Sequence, residues 1–531
     1  MGTILAALAN QFQALLARAR DGDTDAIGWL ALGVAALVWL MTRAAQALAT
    51  LLSPAKPAEG LELAYPPLYT EGFPVVGNVA AFARNPLQLA KRAYAQLGDV
   101  FTLRVGPKRF TFLVGPRAHE VFFRANDDEL DQGPVYGFSV PVFGRGVVYD
   151  APLAIRLEQF RFVSTALRAA RLREYVPLMV AEAETYFKRH WHGTDGTADL
   201  LKSLSELIIL TASRCLMGRE VREQLFEEVS TLYHQLDQGM QPLSVFAPHF
   251  PCKAHWQRDR ARREMRRLFA SIIANRRKRY QEIAAQAESV GQDPQQALEA
   301  AKEVDVLQVF MDSQYRDGSR LTDDQITGLL IAVLFAGQHT STITGTWTGL
   351  LMLRKPELVT RVRAEQEQVL YDDDGCFKID YDALLRLDVM HRCIKEALRM
   401  YPPLIFLMRE VVIPRTYRDY VIPKGDIVVV SPPLAMSLPE VFADPDRYDP
   451  DRYAPPREED KRVPFSHIGF GGGRHACMGE QFAYLQIKTI WSVILRDYDL
   501  EPVGPLPLPD YSAMVVGPKP PCLVRWRRRT P

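Results

Sequence analysis

Cysteine is scarce and scattered in this chain. Six occur in 531 residues: Cys215, Cys252, Cys376, Cys393, Cys477 and Cys522. They form no CxxC and no close pair, so neither a disulfide framework nor a tetrahedral zinc site is indicated, and a reducing compartment suits them. Net charge is nearly absent: 64 Lys+Arg against 63 Asp+Glu leave +1. That removes the electrostatic footprint of a nucleic-acid binder, and no nucleic-acid partner is expected. The basic clusters Arg258–Arg267, Arg276–Arg279 and Arg525–Arg529 read as solvated helix faces, or for the first two as docking surfaces for an acidic redox partner. No solenoid repeat is present; the tandem DPDRY at Asp444–Tyr448 and Asp449–Tyr453 is too short for one. No glycine fingerprint follows a strand in a βαβ unit, so a reaction needing electrons would draw them from a separate protein. A cleavable signal is also missing, because the apolar run starts late and lacks a basic lead-in.

What is there begins with that run. Ala26–Met41, extended by Thr42, is uncharged and reaches the short end of the membrane-spanning range. It predicts a transmembrane helix at about 26–42 within an anchor region 1–53. Upstream, Ile4, Leu5, Leu8, Phe12, Leu15 and Leu16 fit a helix lying at the bilayer surface. Pro54, Pro57, Pro66, Pro67 and Pro74 make 54–74 a stiff linker. Residues 75–531 follow as one large catalytic domain. Val100–Val105 and Phe110–Val114 predict a β-hairpin, Glu158–Leu398 is helical in pattern, and Ala284–Gln296 reads as a flexible connector. Strand character returns at Val411–Ile413, Tyr420–Ile422 and Ile427–Val430. The chain is therefore mainly α with a small β-rich lobe.

Three segments carry chemistry. The first is Phe470-Gly-Gly-Gly473-Arg-His475-Ala-Cys477-Met-Gly479, followed by apolar residues at helical spacing. Glycines let the backbone curl around the sulfur, and a helix start after it favours a thiolate, so Cys477 reads as a metal ligand. A buried structural cysteine in a glycine-rich turn is the alternative. The second is a long helix opened by the capping box Thr322-x-x-Gln325 and stopped by Lys355-Pro356. Its Gly337 costs about 1 kcal/mol against alanine, which suggests a groove for a ligand, with Thr340 on the same face. Close helix packing is the other reason a glycine can sit there. The third is Glu396-Ala-Leu-Arg399, an ion pair at i, i+3 just before Pro402-Pro403.

Together these segments resemble the cytochrome P-450 family: the haem loop F-x-x-G-x-[HR]-x-C-x-G, the oxygen-activating segment Ala336–Ser341, and the E-x-x-R element. Tyr136–Asp150 (YGFSVPVFGRGVVYD) and Gly337-Gln-His339-Thr-Ser341 are similar to the sterol 14α-demethylases of that family. The resemblance covers roughly Tyr65 to the C-terminus. It implies the cytochrome P-450 fold behind an N-terminal transmembrane helix. It also implies haem b on Cys477, with Phe470, Gly473 and Gly479 shaping the loop, and Tyr136, Tyr149, Arg409 and His475 toward the propionates. Thr340, His339 and Asp237 would deliver protons, and Tyr136, Phe138, Phe143 and Ala336 would line the sterol site. Glu396 and Arg399, with Arg452 or Arg447 as third member, would form a structural network. A basic haem partner expected near Phe160 is not matched, which leaves Arg161 or Arg156. The implied activity is three-step oxidative removal of the 14α-methyl of an obtusifoliol- or lanosterol-type sterol. NADPH and flavin would act through NADPH-cytochrome P-450 reductase, and azoles would inhibit. A monomer in the endoplasmic reticulum membrane, single-pass with a cytosolic catalytic domain, completes the expectation. Its rivals are a family monooxygenase of another sterol or lipid, a reductase-independent haem-thiolate isomerase or dehydratase, and a non-catalytic haem or sterol binder.

Overall fold

The computed structural model describes residues 63–529 apart from 72–76, 242–243, 246 and 373. The expected anchor region, with its helix at 26–42 and the upstream surface helix, lies outside the described residues, as does most of the 54–74 linker.

A central helix, Asp323–Met352, organises the rest. Its capping box forms as expected: the Thr322 hydroxyl accepts from the Gln325 N–H at 3.2 Å, and the Gln325 side chain accepts from the Thr322 N–H at 2.9 Å. Thirty residues make about 45 Å, enough to cross the molecule. Among the described helices this one alone is long and apolar enough to span a membrane, but it is mostly buried in protein. Its polar residues cause no conflict with that burial. Thr340, Thr342, Thr346 and Thr348 each turn the hydroxyl back to the carbonyl four residues earlier, at 2.7 Å. Gly349 admits the Trp491 ring, which a Cβ there would overlap, and the Trp491 N–H donates to the Gly345 carbonyl at 3.0 Å.

The main sheet has six strands, in the order β1 (Leu68–Tyr69), β2 (Val100–Val105), β3 (Lys108–Leu113), β9 (Ile427–Val430), β6 (Leu407–Val411) and β4 (Leu130–Asp131). β2 and β3 are the expected hairpin. β9 is apolar at every position because both faces are covered: Ile427 and Val429 enter one core cluster, Val428 and Val430 the other. The hairpin β7 (Arg415–Tyr417)–β8 (Tyr420–Ile422) stands apart, as does the short pair β11 (Pro509–Asp510)–β12 (Gly517–Pro518).

Two expectations need correction. β5 (Asp195–Asp199) interrupts the supposedly continuous helical stretch. It pairs with β13 (Leu523–Arg528), which also pairs with β10 (Tyr498–Pro502). Its sequence DGTAD has no strand periodicity; the partner strand supplies the ladder. Ala284–Gln296 is also no connector. The helix Lys253–Ser289 runs into it and Pro294–Ala301 is helical again, with Gly291 at φ +71° making the turn between them. Ala and Gln favour helix, and that preference prevails up to the break.

Candidate active site

In the middle of the central helix, Leu334, Gln338 and Ser341 are buried while Ala336 is exposed. A Cβ built on Gly337 would meet nothing within 4 Å. Close packing is therefore not why this glycine is here. By contrast, a Cβ on Gly328 of the same helix would overlap the Phe143 carbonyl. The wall at Gly337 is open, and the Thr340 hydroxyl lies beside it, donating to the Ala336 carbonyl.

The next residue pair closes the helix against its neighbour. His339 Nε2 sits 2.9 Å from Asp237 Oδ1, both half-buried, on the helix Phe226–Gln238. One turn earlier on that helix, Tyr233 donates to Gln338 Oε1 at 3.2 Å.

The segment Tyr136–Asp150 folds into short helical turns, Gly137–Ser139, Val140–Phe143 and Val148–Asp150. It packs on the central helix: the Phe143 ring meets Phe335 edge-on at 6.0 Å. Arg262 fastens it, donating to the Phe143 carbonyl at 3.1 Å and to Asp324 Oδ1 at 2.8 Å. Phe138 is half-buried, its ring 6.4 Å from that of Tyr136. A cleft of about 650 Å³ opens against Gly137, Val140, Pro141, Tyr149 and His249.

Cys477 lies three residues before the helix Glu480–Asp497. Its N–H donates to the Phe470 carbonyl at 2.8 Å, which closes the loop. Gly471 and Gly473 take φ of +74° and +62°, and a Cβ on Gly473 would strike the Phe123 backbone. Cys477 is exposed, yet burial pushes its thiol up, opposed by the backbone N–H groups of Gly479 and Glu480. That combination marks a group lining an interior opening. In the bare loop burial outweighs those N–H groups, so the loop does not by itself favour the thiolate expected from the sequence.

Whether haem fits is decided by the donors. Among the described residues no three His, Cys, Asp or Glu side chains converge as a metal cluster, so Cys477 would be a lone protein ligand. That number suits an iron already held by a porphyrin. Arg409 is 1% exposed and donates to the Phe122 carbonyl at 2.9 Å, but its Nε has no acceptor. Among the described residues no carboxylate hydrogen-bonds to it; the Asp127 charge acts on it, but burial prevails and pushes its guanidinium down to about 10. A buried arginine with no directly paired carboxylate is costly and calls for an anion. Tyr136 adjoins it, accepting from the Met408 N–H at 3.4 Å, and stacks on Tyr149 at 5.0 Å. His475 is in this neighbourhood but is engaged, its Nε2 2.6 Å from Asp127 Oδ1. Asp127 went unnoticed in the sequence: an acid in the acid-rich run Asp127-Asp-Glu129 carries no motif. The donor set fits haem.

Behind the loop, Glu396 accepts from Arg399 Nε at 2.8 Å, Arg452 Nε at 2.9 Å and the Tyr453 hydroxyl at 2.8 Å. Arg452 is therefore the third member of the network; Arg447 contributes its backbone carbonyl to Arg452.

Comparison with known proteins places this arrangement. The family model described as Cytochrome P450 matches residues 66–526. The chain is 49% identical to an obtusifoliol 14-alpha demethylase of Sorghum bicolor, over 86% of this chain and 89% of that protein. It is 47% identical to a sterol 14-demethylase of Arabidopsis thaliana (87% and 91%) and 38% identical to a lanosterol 14-alpha demethylase of Mus musculus (88% of each). A solved structure, retinoic acid bound cyanobacterial CYP120A1, aligns with a TM-score of 0.74 at 20% identity, covering 88% of this chain and 100% of that one. At that identity the likeness speaks for the fold alone.

Proposed function

The chain belongs to the cytochrome P450 family, and we propose that it removes the 14α-methyl group of a sterol precursor as a haem-thiolate monooxygenase. One observation carries this reading: near-half identity, over 86–87% of the chain, to proteins named obtusifoliol and sterol 14-demethylases. The isomerase and binding-protein alternatives are disfavoured by Gly337 and Thr340, which leave an open, hydroxyl-bearing wall where dioxygen chemistry needs one.

In this reading Cys477 holds the iron, and Arg409 and Tyr136 hold one carboxylate of the haem. When bound, the haem-thiolate group supplies the oxidising power that takes the methyl through alcohol and aldehyde to formic acid and a ring double bond. The protein's part is placement and proton supply. Phe143, Phe138, Tyr136 and Ala336 bound the apolar side against which the sterol packs. Thr340 keeps its hydroxyl on the Ala336 carbonyl and can turn it to a proton acceptor in the groove. His339 and Asp237 lie beside it, at the junction of two helices, as a gated route to solvent. Electrons come from NADPH through a flavin reductase. Residues 1–53 anchor the protein, single-pass, in the endoplasmic reticulum membrane with residues 75–531 cytosolic. The protein acts as a monomer, and azoles would inhibit it.

The test of the function is NADPH oxidation coupled to formic acid release, with reductase and either obtusifoliol or a lanosterol-type sterol. A protein that binds haem and sterol but releases no formic acid refutes it.

Two finer readings follow. Phe138, standing beside Tyr136, is proposed to favour sterols with a single C4 methyl. Two relatives at 49% identity are named obtusifoliol 14-alpha demethylases, and a phenyl ring leaves less room than leucine for a second methyl. One methyl in an apolar pocket is worth about 1–3 kcal/mol, or about 10–200-fold. The kcat/KM ratio of obtusifoliol to lanosterol should fall in that range and shrink markedly in Phe138→Leu; a ratio near unity in the unmodified enzyme defeats the claim. For His339→Ala, kcat should drop about tenfold or more, while the sterol dissociation constant moves little. Equal loss in both would make the Asp237 pair a plain helix-to-helix contact.

A further inference from the structure

The helix Phe226–Gln238 packs along Lys253–Ser289. Among the described residues, two polar side-chain contacts join it to the central helix: Asp237 with His339, and Tyr233 with Gln338. The first is the proton route proposed above. We propose that the second positions the first: Gln338, held by Tyr233 and Ser205, fixes the His339 ring on Asp237. The consequence for turnover rests on that proton route; the positioning itself rests on geometry.

Gln338 is 5% exposed and Tyr233 4%. Burying an amide is costly unless both its ends are satisfied, and Gln338 meets that need through two other helices. Its Oε1 accepts from the Tyr233 hydroxyl at 3.2 Å, and its Nε2 donates at 3.2 Å to Ser205 Oγ on the helix Leu200–Ala212. Thr342, Thr346 and Thr348 ask nothing of their neighbours, because their hydroxyls return to their own helix. What the amide adds over an apolar side chain is register: it fixes the central helix against one neighbour on each side.

Plain adhesion between helices would account for those two bonds alone. The aromatic contacts say more. Tyr233 and Asp237, four residues apart, share one face of their helix. Phe335, Gln338 and His339 stand opposite. The Tyr233 ring lies 4.6 Å from that of Phe335 and 6.4 Å from the imidazole of His339. Asp237 therefore holds the imidazole at Nε2 while Tyr233 bounds it from the side. Burial, with the Asp237 charge second, pushes the Tyr233 phenol well up, so it remains a donor to Gln338. Swinging the Tyr233 ring away from His339 means breaking that bond. A histidine that exchanges a proton with a carboxylate must be kept within hydrogen-bond reach of it, and the surrounding residues do the keeping.

The experiment uses full-length holoenzyme isotope-labelled in its histidine rings, as the diamagnetic reduced carbon monoxide complex. The His339 resonance is assigned by its absence from His339→Ala. It should move in Tyr233→Phe, which deletes the hydroxyl and keeps the ring, and in Gln338→Met. It should stay in Tyr498→Phe, which deletes a different buried hydroxyl, bonded to the Trp191 carbonyl at 3.2 Å. With reductase and obtusifoliol, Tyr233→Phe should lower kcat about fivefold, the size of one neutral hydrogen bond, and leave the sterol dissociation constant within about twofold. In a His339→Ala background the same change should move kcat by less than about twofold. An unmoved His339 resonance overturns the proposal. So does an equal loss of kcat and sterol binding, or a loss of kcat that persists undiminished without His339, since either makes the tether a general support. A resonance that moves while kcat holds would uphold the positioning and refute the proton route instead. If Gln338→Met fails to fold, Tyr233→Phe and Ser205→Ala decide by the same readings.

Discussion

Cys477→Ala is expected to abolish the thiolate-type spectrum of the reduced carbon monoxide complex and to cut turnover at least about 10³-fold, since several kcal/mol of metal-centred stabilisation go with the sulfur. The substitution is clean because little of the fold rests on this side chain. Cys477 is exposed, and its loop is closed by its own backbone N–H on the Phe470 carbonyl, which alanine retains. The positive-φ glycines that shape the loop are also untouched. Circular dichroism should therefore stay the same while the spectrum disappears. Cys215 and Cys393 serve as controls: both are buried, and burial pushes their thiols well up, to about 12 for Cys393. Alanine at either should cost stability and leave the spectrum alone. A normal carbon monoxide spectrum from Cys477→Ala would remove the sulfur from the metal and the haem-thiolate reading with it.

What could be read in the sequence, and what could not, follows from how local each signal is. The capping box, the Gly337 groove and the cysteine loop are written in contiguous residues, so their geometry could be anticipated. The choice of Arg452 over Arg447 could not: both precede a tyrosine in identical DPDRY repeats, and only the path of the chain brings one to Glu396. The same limit applied to Arg156 and Arg161. They share one helix, and sequence spacing does not say which faces inward. β5 was invisible because DGTAD has no apolar alternation; it is a strand only because β13, more than 300 residues later, lies beside it. His475 shows the reverse case. Its position in the loop was legible, but its engagement with Asp127 was not, since the two are brought together by folding alone. The thiol of Cys477 taught a similar lesson, with burial outweighing the nearby N–H groups that the sequence had suggested would dominate.

The largest effect on stability is expected at Glu396. Its carboxylate is fully buried and accepts from both Arg399 donors, Arg452 Nε, the Tyr453 hydroxyl and the Asp449 N–H at 3.1 Å. Removing it as Glu396→Ala leaves two arginines, 2% and 0% exposed, with Glu459 as the one remaining carboxylate, and Glu459 already serves Arg457 at 2.8 Å. Breaking a buried pair in this way costs about 3–5 kcal/mol, comparable with the whole stability of many domains at about 5–15 kcal/mol. Glu396→Gln keeps the shape but turns an amide toward arginine donors, so it should fall between. For contrast, Arg267 and Glu264 pair at 2.9 Å with both side chains exposed, and Glu264→Gln should cost about 1 kcal/mol or less. The damage at Glu396 should also reach the cofactor. Arg399 Nη1 holds the Met436 carbonyl at 2.8 Å, Met436 Sδ lies 3.4 Å from the Ile468 N–H, and Leu398 fills the space where a Cβ on Gly469 would stand. Those contacts are the floor of the cysteine loop. Denaturant unfolding of Glu396→Ala, followed in parallel with haem content, should show both falling together. Unfolding within 1 kcal/mol of the unmodified protein would mean that the network is not the support its burial implies.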